Sequence, residues 1–138
     1  MSAAPHKSGN AAAAPMVYVC ITCRRQGGQE CAVGYEPKPG ALLAAATERA
    51  AAGSGVTVRR LRCLANCTRG PSAAMRATGS WTYVFGGLDT ACAEALVAGA
   101  RLLAGNPNGI LPWVGRPERL KGRLIARVPP LGFTETDL

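Results

Sequence analysis

Little in this chain suits ordinary acid–base chemistry. Its one histidine, His6, sits in an opening stretch of Ala, Ser, Gly and Pro, and no carboxylate pair or Ser–His arrangement stands near the cysteines. Catalysis by a positioned histidine is not expected, and the chain does not read as an enzyme. Aromatic residues are scarce and seldom interleave with basic ones, so a nucleic-acid surface is not expected either. No apolar run is long enough to span a bilayer. Residues 1–15 lack the apolar core of a secretory leader, which sets the expectation of a cytoplasmic chain. Acids are few too: 8 Asp and Glu against 16 Lys and Arg give a formal charge of +8. That excess is mostly arginine spread along the chain. It reads as a solvated basic surface, suited to steering encounters with acidic protein partners.

What is present is cysteine, six residues in 138. In a cytoplasmic chain, clustered thiols are more often metal ligands or redox groups than structural disulfides. Cys92 stands between alanines in an apolar helical stretch and reads as a small core residue. Cys20, Cys23, Cys31, Cys63 and Cys67 stand instead in segments marked by Gly, Pro and Arg.

The rest of the chain supports two of these segments. Residues 1–15 are of low complexity and are expected to be a disordered tail. Met16–Cys20 is a β-branched and apolar run and predicts a strand. Pro37 and Pro39 lead into a helix over 41–52, closed by Gly53 and Gly55. A second strand over 55–61 ends at Arg62-Cys63-Leu64-Ala65-Asn66-Cys67-Thr68-Arg69-Gly70-Pro71, a loop closed by a Gly-Pro breaker. Residues 73–78 and 81–85 predict two strands joined by a two-residue turn at Gly79-Ser80. Asp89 or Thr90 caps a helix to Ala104, in which Leu96, Val97, Ala100 and Leu103 recur at helical spacing. The order strand–helix–strand, then hairpin and helix, predicts an α/β, thioredoxin-like layer fold: a small mixed sheet flanked by helices. The expected domain is 16–105. An irregular, Pro-rich extension over 106–138 is expected to wrap it, with a short strand at 124–128.

Taken together, Cys20, Cys23, Cys63 and Cys67 form an all-thiolate set. Such a set suits zinc, or the irons of a 2Fe–2S cluster, both tetrahedral at each metal. Zinc ribbons usually pair two CxxC knuckles, whereas here the second pair is CxxxC. Cys20-Ile21-Thr22-Cys23 alone resembles a redox dithiol, with Arg24 and Arg25 to favour thiolates, but a dithiol has no use for Cys63 and Cys67. Arg24, Arg25, Arg62 and Arg69 would place positive charge around the centre.

Several stretches resemble the thioredoxin-like 2Fe–2S ferredoxins: Val17-Tyr18-Val19-Cys20, Glu30-Cys31-Ala32-Val33-Gly34, Cys63 through Pro71, and Trp81-Thr82-Tyr83. A closer resemblance is to a bacterial family of metal-binding proteins of undefined function. Its marks here are Cys20-Ile21-Thr22-Cys23-Arg24, Cys63-Leu64-Ala65-Asn66-Cys67, Trp81 through Gly86, Gly109-Ile110-Leu111-Pro112-Trp113 and Ile125 through Pro130. The first resemblance implies Cys20 and Cys31 as ligands in the first loop; the second implies Cys20 and Cys23. Cys20, Cys63 and Cys67 are common to both, and the broader match favours Cys23 as the fourth, with Cys31 its rival. The resemblance implies a 2Fe–2S electron carrier with redox partner proteins. Zinc is the alternative cofactor, in a zinc- or cobalt-binding metallochaperone. It also implies a link to cobalamin-pathway enzymes or GTPase metallochaperones. No membrane partner is expected, and a homodimer is compatible.

Overall fold

A computed structural model describes residues 14–26, 29–32, 34 and 36–136. The first strand, β1 (Met16–Cys20), is an inner strand of the sheet, with a neighbour on each side. Its Val17 and Val19 are fully buried while Met16 and Tyr18 are half-buried, the alternation of a strand with one face on a core. Two short pieces, β2 (Arg25–Gln26) and β3 (Gln29–Glu30), form a separate small hairpin. Helix α1 (Pro39–Ala51) then returns the chain; Pro39 takes the first helical position, where its missing N–H costs nothing. Buried Leu43, Ala44, Thr47 and Ala51 form its inner stripe, and the Thr47 hydroxyl is satisfied by the Leu43 carbonyl at 2.7 Å. Strand β4 (Thr57–Leu61) pairs parallel with β1, as a helical crossover requires.

Strands β5 (Ala73–Arg76) and β6 (Thr82–Phe85) follow, then a tight 3-10 turn (Thr90–Cys92), helix α2 (Ala93–Gly105) and strand β7 (Leu124–Val128). The sheet order is β4-β1-β5-β6-β7, with only the β4–β1 pair parallel. Helix α1 packs on β1 and β4, α2 on β1 and β5, and the helices pack on each other, so both cover one face. Leu43, Leu88, Leu96, Leu103, Met75, Tyr83 and Phe85 fill the space between. The expected layer fold is the one observed.

Three local expectations are corrected. The β5–β6 connection is longer than a two-residue turn, since the last paired residues are Met75 and Tyr83. The Trp81 N–H leaves the ladder and donates to the Gly109 carbonyl at 2.8 Å. The second helix begins later than Asp89 because the first turn is 3-10. Asp89 caps that 3-10 turn, accepting from the Ala91 N–H at 3.0 Å. The segment after 106 does supply a strand at 124–128, and that strand is a full member of the sheet. Leu111 and Leu120 from this segment are buried in the common core. The stretch expected to be a disordered tail lies almost wholly outside the described residues. Among the described residues no helix is long and apolar enough to cross a membrane.

Candidate metal centre

Register decides where the cysteines meet. Strands β1 and β4 are parallel neighbours, and Cys20 stands opposite Leu61. Both chains therefore leave the sheet at the same pole, one into Cys20–Cys31 and the other into Arg62–Pro71. Several bonds stitch the two loops together. The Ile21 N–H donates to the Leu61 carbonyl at 2.8 Å and the Cys20 N–H to Ser72 at 3.0 Å. The Cys20 thiol donates to the Arg62 carbonyl at 3.5 Å, and the Thr22 hydroxyl donates to that same oxygen. Farther out, Arg25 Nε donates to the Thr68 carbonyl at 2.9 Å.

Close packing explains two glycines. A Cβ at Gly70 would stand 1.6 Å from Cys23 Sγ, and one at Gly40 would stand 2.1 Å from the Cys20 carbonyl oxygen. The second loop therefore lies directly on Cys23, and the start of α1 lies directly under Cys20. The Gly40 N–H also donates to the Cys23 carbonyl at 3.1 Å, which anchors the first loop to the helix N-terminus.

The four thiols split into a deep pair and a rim pair. Cys20 and Cys23 are 3% and 4% exposed, while Cys63 and Cys67 are open to solvent. The rim sulfurs stand 3.8 Å apart. Two thiolates bound at ~2.3 Å to one tetrahedral metal are ~3.8 Å apart, so this pair already has the edge length a metal would impose. Ala65 sits at φ +62°, and its N–H donates to Cys63 Sγ at 3.1 Å. Backbone in the left-handed region is thus spent on a bond to sulfur. Among the described residues, no three His, Cys, Asp or Glu side chains are gathered closely enough to hold an ion. The pairs are neighbours rather than a closed cage.

Electrostatics ties the pairs together. Burial pushes the Cys23 thiol up, and the nearby Cys20 and Cys67 thiols push it further. The Cys67 thiol is raised foremost by its hydrogen bond and charge interaction with Cys63, with Cys20 adding to it. Thiolates at this pole repel one another, a penalty that a bound cation removes. These interactions join Cys20, Cys23, Cys63 and Cys67. Cys31 is half-buried, and its N–H is tied to the Arg24 carbonyl at 2.8 Å beside the β2–β3 hairpin. Cys92 is fully buried, its thiol directed at Asp89 Oδ1, as expected of a core residue.

Sequence reasoning found the cysteines but not their supports. Thr22 stood out only as part of its motif and Arg25 only as a charge; their hydrogen bonds were not foreseen, because a hydroxyl or guanidinium aimed at a distant carbonyl follows no spacing rule. Gly70 stood out only as a breaker, although the same Gly-Pro pair lies against Cys23.

A family model described as "Protein of unknown function (DUF1636)" matches residues 17–130. No curated protein matches the chain. Among solved structures, a thioredoxin-like [2Fe–2S] ferredoxin from Aquifex aeolicus superposes with a TM-score of 0.53 at 15% identity, covering 89% of this chain and 100% of that one. At that identity the likeness shows the fold alone. The chain belongs to the DUF1636 family.

Proposed function

We propose that this member of the DUF1636 family holds a 2Fe–2S cluster on Cys20, Cys23, Cys63 and Cys67 and passes single electrons between partner proteins, as a carrier rather than an enzyme. The observation that carries the reading is the common exit of β1 and β4, which sets the deep pair and the 3.8 Å rim pair at one pole. The solved structure of like fold is a [2Fe–2S] ferredoxin, which supports the choice of cluster. Such a cluster supplies a reversible one-electron couple. The chain's own part is to hold it and set its potential. The Ala65 N–H directed at Cys63 Sγ and the arginines of both loops favour the more negative, reduced state, and so raise the potential.

A second reading is a zinc- or cobalt-binding accessory protein that hands its ion on. The exposure of Cys63 and Cys67 favours it, because a partner's ligands reach an ion at the rim directly. Anaerobic purification followed by iron, sulfide and zinc analysis separates the two. Two irons and two sulfides per chain are expected, with a one-electron reduction visible by EPR. One zinc and no sulfide in a colourless protein would sink the electron-carrier reading.

A further inference from the structure

Between Glu48 and Asp89 the chain has no acidic residue, and the whole second cysteine loop falls in that interval. At the first loop the nearest acid, Glu30, is already shared by Arg24 at 3.6 Å and Arg25 at 3.8 Å. Farther back on β4, Arg60 is held by Glu48 at 2.7 Å. That leaves Arg62, immediately before Cys63, and Arg69, two residues after Cys67. Both are exposed, and among the described residues neither has an ion pair. Among the described residues, the rim around the open thiols is therefore positive without local compensation. Arginines elsewhere lie over rings, Arg116 on Trp113 and Arg127 on Trp81, but no ring lies under Arg62 or Arg69 among the described residues.

We propose that the cysteine pole is a docking surface for an acidic patch on a partner protein, with Arg62 and Arg69 as the contact charges. This names the partner chemistry of the site assigned above and rests on that reading only for what is exchanged there. Exposed like charges flanking a site raise its encounter rate with surfaces of opposite sign and reject those of the same sign. Guanidinium forks also match carboxylates in paired, planar geometry. A nucleic-acid strand is anionic as well, but single strands bind on aromatic platforms, and among the described residues the rings that carry a cation are Trp81, Tyr83 and Trp113, none of them in the two cysteine loops.

The test uses metal-free, fully reduced protein, so its outcome does not depend on whether a cluster assembles. Modification of Cys63 and Cys67 by neutral N-ethylmaleimide is timed by peptide mass spectrometry. It is run alone, with poly-L-glutamate, and with a single-stranded DNA oligonucleotide of equal charge. Poly-L-glutamate should slow modification roughly tenfold at low salt. Protection should vanish near 1 M salt, where the Debye length is ~3 Å. The R62E/R69E variant should lose the protection. R76E/R101E, with the same change in net charge on exposed residues, should keep it; Arg76 pairs with Met16 at the opposite end of the sheet. R62Q/R69Q, which adds no new charge to the loop, should lose most of it. Equal loss in R76E/R101E, full protection in R62Q/R69Q, or stronger protection by the oligonucleotide would each overturn the proposal.

Discussion

Cys23 lies under Gly70, where a Cβ would stand 1.6 Å from its sulfur. No rotamer of a residue 4% exposed absorbs such an overlap cheaply, so Gly70→Ala should cost about 1–3 kcal/mol. The variant should also lift Cys23 toward solvent. Thermal unfolding and the rate at which Cys23 reacts with a disulfide reagent check both effects, and an unchanged melt with an unreactive Cys23 would contradict the contact. The same burial bears on the fourth ligand. Cys23 lies against Gly70 of the loop that carries Cys63 and Cys67, whereas Cys31 is tied by its N–H to the Arg24 carbonyl beside the β2–β3 hairpin. Cys23→Ser should therefore abolish cluster assembly while Cys31→Ser leaves it intact, read as iron and sulfide per chain. The reverse result would move the fourth ligand to Cys31. At this scale the sequence reveals which residues are thiols and which segments carry them. It does not reveal how deep each sulfur sits, because depth depends on which loop covers which.

Helix α1 and strand β4 are joined across their exposed sides by Glu48 and Arg60, whose side chains meet in two bonds of 2.8 and 2.7 Å. The Arg60 guanidinium holds the Glu48 carboxyl below its usual range. A carboxyl lowered on folding contributes stability that is present above its unfolded pKa, about 4.3, and is lost as pH falls through the folded value. Glu48→Gln should then cost only about 0.2–1 kcal/mol at neutral pH, because both side chains are about 40% exposed. The difference from wild type should begin to fade near pH ~4.3, vanish once pH has fallen through the folded value, and shrink with salt. Urea titrations at several pH values measure it. The charges also guard the open edge of β4 against pairing with another strand. Elements with strong patterns, β1 and both helices, are legible in the sequence to within a few residues. The β5–β6 hairpin is legible too, but the length of its turn is not, because the Trp81 N–H leaves the ladder for the Gly109 carbonyl, 28 positions away. Local turn rules contain no term for that.

In the whole molecule the C-terminal segment is structural. Leu120 is fully buried, with its methyl group against α2 at Gly99, and β7 completes the sheet beside β6. Leu120→Ala should cost about 2–5 kcal/mol, a core-cavity effect measurable by denaturant unfolding. A cost under about 0.5 kcal/mol, the size of a surface change, would show that the segment merely lies on the domain. Its proline-rich composition hid this role, since Pro and Gly mark irregular chain wherever they occur.

The division of the pole into a deep pair and a rim pair also has a consequence in time. An ion arriving from solvent meets Cys63 and Cys67 first, already at the spacing a metal imposes. Cys20 and Cys23 lie behind them, with Gly70 pressed against the Cys23 sulfur. If the pole binds an ion as proposed, loading is expected to be sequential, with capture at the rim before transfer to the deep pair that Gly70 covers. Release in the reverse order would free the innermost thiols first and leave the ion last on Cys63 and Cys67.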